Sequence, residues 1–379
     1  MTDSYILITG GCGFVGTNVA DRLLREGHRV CVFDNLSRAG VERNLQWLRE
    51  QHGDALIFKQ ADTRDAAAVR EAVRRASHIF HFAAQVAVTT SLDDPIGDFE
   101  VNARSALNVL EAVRHSLHRP PLFFTSTNKV YGGLDDVRMR EEETRYTPRL
   151  AAIARHGVSE KRPLDFHSPY GCSKGAADQY IRDYARSYGL RTVVFRMSCI
   201  YGPHQFGTED QGWVAHFLIR ALRREPITIY GDGKQVRDIL FIDDLTDAFM
   251  LAMEHVDACS GEAFNIGGGP ENTVSLREVL GMIRRMEGRE PRVDWGAWRT
   301  GDQKYYVSDT RRFEALTGWS ARTRAADGIL ALREWLLTSG VPEILQRADE
   351  RPPLAAKAAI SGGGGRVSDR PAVAAPAKE

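Results

Sequence analysis

The residue pattern with the clearest chemical meaning is a tyrosine followed four positions later by a lysine, Tyr170 and Lys174, with Thr127 upstream. In a helix this spacing places the phenol and the ammonium group on one face. A phenol has a reference pKa of about 10, and a nearby cation favours its ionised form. Tyr170 is therefore predicted to ionise near neutral pH and to take a proton from an alcohol while a cofactor accepts the hydride. Because Pro169 is disfavoured inside a helix, the helix is expected to begin at Tyr170.

A dinucleotide site that would serve this chemistry is predicted near the amino terminus. Residues Tyr5–Thr9 form an apolar, β-rich run, which is followed by Gly10, Gly13 and Gly16 and then by a helical pattern. In this context the glycines permit a tight turn, close approach of the backbone to a pyrophosphate, and close packing of the helix on the sheet. For a glycine triplet alone the alternative is an ordinary loop.

The acid after the second predicted strand indicates which dinucleotide binds. The strand over 28–33 leads into Asp34, 18 residues beyond Gly16, where a carboxylate that binds the ribose hydroxyls of NAD is expected. A free carboxylate repels the 2'-phosphate of NADP. The sequence therefore predicts NAD, and Arg38 nearby keeps NADP as the alternative.

Short apolar strands alternate with helical patterns up to about residue 196, which is typical of an α/β protein with a doubly wound parallel sheet, the Rossmann architecture. A helix is predicted over 102–114. Further strands are predicted over 56–59, 78–82, 122–125 and 192–195.

The chain is long enough for more than one compact unit. We predict an NAD-binding Rossmann domain over 1–202, with 243–268 returning to it, and a smaller mixed α/β part over 203–242 and 269–340 that binds the substrate. Residues 350–379 are predicted to be a disordered tail because Ala, Pro and Gly dominate there. The long connection 133–168 is predicted to be a lid or an oligomer contact, with a loose excursion as the alternative.

Charge and cysteine content exclude several classes of function. The 379 residues include 50 Lys plus Arg and 50 Asp plus Glu, so no long-range field favours nucleic acid or a membrane. The five cysteines are scattered and lack metal-ligand spacing, which predicts a reducing cytoplasm and no metal site. No signal peptide or transmembrane run is predicted. Any anionic substrate must then be held by local arginines.

The glycine triplet, Thr127, Tyr170 and Lys174 together resemble the extended short-chain dehydrogenase/reductase superfamily over roughly residues 4–335. Longer strings narrow the resemblance to the CDP-paratose 2-epimerase (CDP-tyvelose 2-epimerase) family. These strings are AAQVAVTTS at 83–91, STNKVYG at 126–132, LDFHSPYGCSKGAADQY at 164–180 and DQGWV at 210–214.

The resemblance implies a tightly held NAD, a CDP-linked deoxyhexose substrate, inversion at carbon 2 of the sugar, and a homo-oligomer, either a dimer or a tetramer. It implies that the catalytic residues are Thr127, Tyr170 and Lys174. The implied cofactor-binding residues are Gly10, Gly13, Phe14, Val15, Gly16, Asp34, Asn35, Ser37, Arg38, Asp62, Thr63, Phe82, Ala83, Ala84, Gln85, Asn102, Ser126, Tyr170, Lys174 and Met197. The implied substrate-binding residues are Gln85, Thr127, Asn128, Cys199, Gln211, Gly212, Arg237 and Arg299.

Within the implied set, Asp62 corresponds to an adenine contact, and Arg237 and Arg299 correspond to contacts with the nucleotide diphosphate. Asn102 is expected to fix backbone near the cofactor. Met197 and Cys199 stand where the resembled family tends to have histidine and serine near the sugar or nicotinamide, so the identity of the sugar stays open.

Inversion at carbon 2 by simple deprotonation would need an adjacent carbonyl, which a 3-deoxy glycosyl nucleotide lacks, so transient oxidation is the expected route. Sugar-nucleotide 4,6-dehydratases place an Asp-Glu pair directly after the threonine, whereas this chain has Asn128 and Lys129. Dehydration is therefore disfavoured. A 4-epimerase needs the same three residues and stays open. The alternative from another functional class is a non-catalytic NAD-sensing regulator. Such a protein would keep the glycine turn but lose Thr127, Tyr170 or Lys174.

Structural roles are the alternatives for several polar residues. Arg237 could pair with the adjacent Asp238, and Arg299 with Asp302. His81 could act as a general base, but a structural histidine is the preferred interpretation.

Overall fold

The computed structural model describes residues 4–299 and 301–340, in which strands and helices alternate over the first half of the chain. The strands are β1 (Tyr5–Thr9), β2 (Val30–Asp34), β3 (Leu56–Gln60), β4 (Ala76–His81), β5 (Leu122–Thr127), β6 (Met139–Glu141), β7 (Tyr146–Pro148), β8 (Thr192–Met197), β9 (Cys199–Tyr201), β10 (Ile227–Tyr230), β11 (Val236–Phe241), β12 (Glu262–Ile266), β13 (Thr273–Ser275), β14 (Val293–Gly296) and β15 (Tyr305–Tyr306).

The helices are α1 (Phe14–Arg25), α2 (Val41–His52), α3 (Ala66–Val73), α4 (Val88–Asp93), α5 (Pro95–Phe99), α6 (Ser105–Arg114), α7 (Ala151–His156), α8 (Ser168–Tyr188), α9 (Trp213–Leu222), α10 (Ile242–Glu254), α11 (Val256–Cys259), α12 (Leu276–Glu287), α13 (Arg311–Thr317) and α14 (Ala325–Ser339). A π-helical turn, Glu100–Arg104, precedes α6, so the predicted helix over 102–114 is divided between these two elements. The predicted strands are all present, with ends displaced by two residues or fewer. No helix in the described part of the chain is long and apolar enough to cross a membrane.

The central sheet has seven parallel strands in the order β12-β8-β5-β4-β1-β2-β3. Apolar side chains on its two faces form two separate cores, one with α1, α2 and α10 and the other with α3, α6 and α8. The predicted doubly wound parallel sheet is confirmed. The strand order reverses at β1, and ligands of such sheets bind beyond the carboxyl ends of the strands at this point.

Helix α8 carries the Tyr170–Lys174 pair and lies against β5 and β8. Its buried face includes Tyr170, Lys174, Ala177 and Ile181, a spacing of three and four residues that matches one side of a helix. The prediction that the helix begins at Tyr170 is wrong, because it begins at Ser168. Pro169 lies in the first turn, where a missing backbone N–H breaks no helical hydrogen bond.

Smaller sheets follow the central one. β11 lies between β13 and β15 and also pairs with β9, while β10 pairs with β14. β12 returns to the large sheet beside β8. The domain boundaries remain a prediction, and the predicted tail over 350–379 lies outside the described residues.

The connection 133–168 contains the antiparallel pair β6–β7 and helix α7. Val158 donates a backbone hydrogen bond to Val307 at 2.7 Å, and its side chain packs in a small core with Tyr131 and Tyr306. The alternative of a loose excursion is therefore wrong. Whether the segment serves as a lid or an oligomer contact stays a prediction.

A buried ion pair connects the Tyr170–Lys174 helix to the central sheet. Arg196 of β8 donates two hydrogen bonds of 2.9 Å to the carboxylate of Asp178, and the two side chains are 3% and 0% exposed. Arg196 also donates to the Tyr131 hydroxyl at 3.1 Å.

Asp178→Ala is expected to lower the free energy of unfolding by about 3–5 kcal/mol, because the Arg196 charge would remain buried without its partner. Chemical denaturation measures the change. The matched control on the same helix is Asp183→Ala, whose pair with Arg186 is exposed and 3.9 Å long. The control is expected to change stability by about 0.5 kcal/mol or less. Equal losses in the two variants would contradict the role of the buried pair.

Candidate active site

The turn after β1 is built so tightly that two of its glycines cannot carry a side chain. Gly10 has a φ of +67°, and a Cβ there would lie 2.6 Å from the backbone nitrogen of Ala83. A Cβ on Gly16 would lie 2.4 Å from the carbonyl oxygen of Gly10. Helix α1 begins directly after Gly13, so the unpaired N–H groups of its first turn provide an anion site.

The loops at the carboxyl ends of β1, β2, β4 and β5 enclose a cavity of about 540 Å³. This volume falls in the range of roughly 300–1,000 Å³ that is typical of ligand and cofactor sites. Every predicted cofactor-binding residue except Asn102 lines it. Residues of the cavity wall that were not predicted are Phe33, Val41, Ala61, Arg64, Val86, Ala87, Thr90, Val101, Thr125, Thr208 and Asp210.

Asp34 ends β2 at the cavity wall. One of its carboxylate oxygens accepts a hydrogen bond from the Leu36 N–H at 2.8 Å, and the other from the Cys12 N–H at 3.0 Å. Burial raises the pKa of Asp34, and these two hydrogen bonds oppose the rise. Each oxygen keeps a free lone pair, so the carboxylate can still accept hydrogen bonds from ribose hydroxyls.

Asp62 lies in the same cavity, held by two neighbours. Arg64 donates hydrogen bonds of 2.8 and 3.0 Å to its carboxylate, and Asn35 donates one of 2.9 Å. The Arg64 guanidinium holds the pKa of Asp62 well below its usual range. Arg64 was missed because the sequence shows only an arginine two positions after an aspartate, a common surface pattern.

Asn102 does not line the cavity. Its side-chain oxygen accepts the backbone N–H of Gln85 at 3.0 Å, and its amide donates to Asp98 at 3.1 Å and to Ser173 at 3.0 Å. Asn102 therefore fixes the loop after β4 to helix α8, in agreement with the expectation that it holds backbone near the cofactor.

Thr127, Tyr170 and Lys174 come together at the carboxyl end of β5. The Tyr170 phenol is buried beside the Thr127 hydroxyl, which opposes the effect of burial on the pKa of the phenol. Lys174 donates a hydrogen bond of 2.6 Å to the carbonyl of Thr125, and its ammonium lies 4.3 Å from the centre of the Phe124 ring. The structure thus places a phenol, a hydroxyl and a buried ammonium next to the cavity.

Burial has the largest effect on the pKa values of Tyr170 and Lys174. It raises the pKa of Tyr170 to about 12, opposed by the hydrogen bond with Thr127, and it lowers the pKa of Lys174 to about 7. The prediction that Tyr170 ionises near neutral pH is therefore wrong for the protein by itself. Sequence spacing indicated the attraction between the two charges but not the cost of removing both from water.

His81 ends β4, and its Nδ1 forms a hydrogen bond of 2.6 Å with the Thr9 hydroxyl. Burial lowers the pKa of His81 to about 3, so the ring is neutral at physiological pH. The structural interpretation of His81 fits these contacts.

The guanidinium carbon of Arg299 lies 3.7 Å from the centre of the Tyr230 ring. It donates a hydrogen bond of 3.2 Å to the Glu209 carbonyl and lies 3.5 Å from the Asp210 carboxylate. The alternative pairing of Arg299 with Asp302 is wrong. Arg299 instead contacts the segment that carries Gln211 and Gly212.

Arg237 is buried, and its closest carboxylate in the described part of the chain is Asp302, at 3.7 Å. The alternative pairing with Asp238 is also wrong. The Asp238 side chain points away and accepts the backbone N–H groups of Gly269 at 3.1 Å and Ser308 at 3.0 Å.

Three further predicted substrate residues lie on β9 and in the segment before α9. Gln211 lines the cavity and accepts a hydrogen bond from Arg38, which lines it too. Gly212 directly precedes α9 with a φ of +75°. The Cys199 thiol accepts a weak hydrogen bond from Trp213 at 3.4 Å.

Comparison with known proteins shows the family of the chain. Residues 6–267 match the NAD dependent epimerase/dehydratase family. The chain belongs to that family. It is 43% identical over 337 residues to a CDP-paratose 2-epimerase of Salmonella typhi, and the alignment covers 87% of this chain and 98% of that protein. The predicted resemblance is thereby confirmed.

Two solved structures extend the comparison. The UDP-glucose 4-epimerase of Thermus thermophilus in complex with NAD has a TM-score of 0.73 and 32% identity, over 88% of this chain and 99% of that one. The dTDP-glucose 4,6-dehydratase of Streptomyces venezuelae, solved with NAD bound, has a TM-score of 0.75 and 27% identity, over 88% of this chain and 97% of that one. The prediction of an NAD-dependent enzyme of the epimerase type is confirmed.

The residues of the cavity fit NAD. The glycine turn leaves no room for side chains beside the amino end of α1, and Asp34 has free acceptor positions. The Ser126 hydroxyl lines the same cavity, buried and without a hydrogen-bond partner in the part of the chain that the structure describes. A polar ligand in the cavity would satisfy this group.

Asp34→Ala is expected to weaken NAD binding by about tenfold or more, since a charge-assisted hydrogen bond contributes roughly 1.5–3 kcal/mol. The ratio of NADP to NAD affinity should rise by a similar factor, because the repulsion of the 2'-phosphate is removed. Calorimetric titration of cofactor-stripped protein measures both affinities. Asp34→Asn separates loss of charge from disruption of the turn, and Asp54→Ala on the exposed surface is the control. An unchanged ratio would remove Asp34 from cofactor selection.

Proposed function

We propose that the protein is an NAD-dependent epimerase that inverts carbon 2 of a CDP-linked deoxyhexose, of the CDP-paratose to CDP-tyvelose type. The observation that carries this proposal is the 43% identity to a CDP-paratose 2-epimerase over nearly the whole of that protein. The assembly of Thr127, Tyr170 and Lys174 beside the cofactor cavity supports it. We further propose that the protein acts in the cytoplasm as a homo-oligomer, a dimer or a tetramer.

In this proposal Tyr170 takes the proton of the hydroxyl on carbon 2, directly or through Thr127, and later returns it. When bound, NAD supplies the positive charge of its oxidised nicotinamide and accepts and returns the hydrogen of carbon 2 as hydride. Added positive charge favours the Tyr170 phenolate and opposes the effect of burial. Lys174, fixed by the Thr125 carbonyl, holds the phenolate and binds the nicotinamide ribose. Between the two transfers the 2-keto sugar turns over, so the returning hydrogen inverts the centre.

The residues after Thr127 argue against dehydration. Expelling water from carbon 6 needs an acid and a base, and Asn128 and Lys129 provide neither carboxyl group. Asn128 is buried and accepts a hydrogen bond of 3.4 Å from the Thr127 hydroxyl. A nucleotide-sugar 4-epimerase is the second candidate, supported by 32% identity to the Thermus thermophilus enzyme.

Incubation of CDP-paratose with the enzyme in deuterated water is expected to give CDP-tyvelose without deuterium at carbon 2. The hydrogen that leaves carbon 2 is carried on the cofactor and does not exchange with solvent. Mass spectrometry and NMR of the product test this. Deuterium at carbon 2 would contradict the mechanism. Inversion at carbon 4 of a UDP-hexose, with CDP-paratose left unchanged, would instead establish the second candidate.

Tyr170→Phe is expected to lower turnover by about a hundredfold or more, because an acid/base group is lost. NAD should remain bound, since the Lys174 contact with Thr125 does not involve the phenol oxygen. Turnover of CDP-paratose and the cofactor content of the purified variant are the two measurements. Near-normal turnover would remove Tyr170 from its proposed role.

A further inference from the structure

Asp98 is a buried carboxylate with no part in the proposed proton and hydride transfers. It lies on α5 and is 2% exposed. One of its oxygens accepts a hydrogen bond of 2.5 Å from the Ser173 hydroxyl, and the other accepts one of 3.1 Å from the Asn102 amide. Ser173 directly precedes Lys174 on α8 and follows Tyr170 by three positions. Asp98 is therefore hydrogen-bonded to the turn of α8 that carries the Tyr170–Lys174 pair.

The same network supports the loop after β4, which forms part of the cofactor cavity. The side-chain oxygen of Asn102 accepts the Gln85 N–H at 3.0 Å. Within the loop, the Gln85 side chain donates to the Ala87 carbonyl at 2.8 Å and accepts the Ala87 N–H at 2.9 Å, and both residues line the cavity. Asn102 lies in the π-helical turn Glu100–Arg104, and such turns occur frequently at functional sites. Asn102 therefore joins the Asp98 carboxylate to the cavity wall.

Hydrogen bonding favours the ionised form of Asp98. An ionised carboxylate only accepts hydrogen bonds, and its neighbours Ser173 and Asn102 both donate to it. Burial raises the pKa of Asp98, whereas the hydrogen bond from Ser173 and the Lys174 ammonium oppose the rise. A buried carboxylate is costly unless hydrogen bonds and an opposite charge compensate it. Asp98 therefore brings a negative charge into the buried region around Lys174.

We propose that Asp98 is a positioning residue for the Tyr170–Lys174 pair, which fixes the start of α8 to the cofactor loop and keeps Lys174 in its ammonium form. The proposal rests on the proposed function, because Tyr170 and Lys174 are the proton-transfer and phenolate-holding groups of that mechanism. Asp98 does not line the cavity, so it acts through Ser173, Asn102 and its charge.

The charge of Asp98 gives the proposal a distinctive signature. A nearby negative charge raises the pKa of a phenol and of an ammonium alike, so its removal should lower the pKa of both Tyr170 and Lys174. Turnover in the proposed mechanism needs the Tyr170 phenolate and the Lys174 ammonium. Both limbs of the pH profile of kcat should therefore move to lower pH when the charge is removed. A purely structural role would lower kcat without moving the profile.

The other titratable groups near the pair are the same with and without this charge. Asp178 on α8 faces Lys174 and is paired with a buried arginine of β8. His81 on β4 is also near Lys174, and its ring is neutral because burial lowers its pKa to about 3. Asp94, which precedes α5, is exposed and is the other carboxylate near the buried one.

The first test is the pH profile of kcat for the NAD-loaded Asp98→Asn variant with CDP-paratose. The new side chain can accept the Asn102 amide and donate to the Ser173 hydroxyl, which can then donate to the Tyr170 carbonyl at 3.2 Å. The variant thus removes the charge and keeps the hydrogen bonds. Both limbs are expected to move by about one unit to lower pH. Asp93→Asn, at an exposed position of α4, is the control and should match the unmodified protein.

The second test follows the phenol without turnover. The ultraviolet tyrosinate absorbance of each NAD-loaded protein is compared with that of its Tyr170→Phe counterpart over a range of pH. The midpoint assigned to Tyr170 should be about one unit lower in Asp98→Asn than in the unmodified protein.

The third test measures the positioning role by calorimetric titration of cofactor-stripped protein with NAD. Asp98→Ala removes both acceptors and is expected to weaken NAD binding by about fivefold or more, the scale of a lost hydrogen bond in the supporting network. Asp98→Asn should keep NAD affinity within about twofold, because its hydrogen bonds can be satisfied.

An unchanged kcat profile and an unchanged Tyr170 midpoint in Asp98→Asn would overturn the proposal. A fall in kcat at every pH, with neither the profile nor the midpoint displaced, would also overturn it. Equal NAD affinity of Asp98→Ala and the unmodified protein would contradict the positioning role. Failure of the proposed function gives a different result, since the unmodified protein would then not convert CDP-paratose, and the absorbance midpoints would still decide the role of Asp98.

Discussion

The arrangement of the site depends on the burial of a polar helix face against the sheet. Helix α8 presents Tyr170, Lys174 and Asp178 to the interior, where Lys174 and Asp178 have partners on β5 and β8 and Tyr170 lies beside Thr127, the last residue of β5. Lys174 bonds to a β5 carbonyl, and Asp178 pairs with Arg196. These contacts fix the rotation of the helix, since turning it would leave buried charges unpaired. The same burial disfavours the charged forms of Tyr170 and Lys174. In the proposed mechanism, the positive charge that favours the Tyr170 phenolate therefore enters with NAD.

The two arginines on the substrate side of the cavity are already in contact with carboxylates of the protein. Arg299 contacts Glu209 and Asp210, and Arg237 lies near Asp302. Carboxylates of the protein therefore contact these arginines before any substrate anion arrives. Replacing such a partner with a diphosphate costs less than ordering a free arginine, because the side chain has already lost most of its rotamer freedom. The pairs in the structure are thus compatible with binding roles for both arginines.

Features of the chain were predicted correctly where the local backbone or a position at the end of a strand requires one residue type. Gly10 and Gly16 are required by backbone contacts shorter than 3 Å that any Cβ would make, and Asp34 follows from its place at the end of β2. Six of the seven strands of the central sheet follow from apolar runs that are buried on both faces, whereas β12 was expected only as part of the segment 243–268 that returns to this domain. Arg64 was not predicted, because a charged residue in a loop has the same local sequence whether it faces solvent or a site.

Residue type and spacing were enough to predict most of the sheet, the glycine turn and the choice of NAD, because each depends on short stretches of chain. Thr127, Tyr170 and Lys174 were predicted from two separate motifs, which the fold brings together from β5 and α8. The fold, by contrast, sets which cations pair with which carboxylates, since Arg237 meets Asp302 and Arg299 meets Glu209 across long separations in sequence. It also decided how the Tyr170–Lys174 pair titrates. Desolvation depends on everything packed around a group, and no local pattern records it.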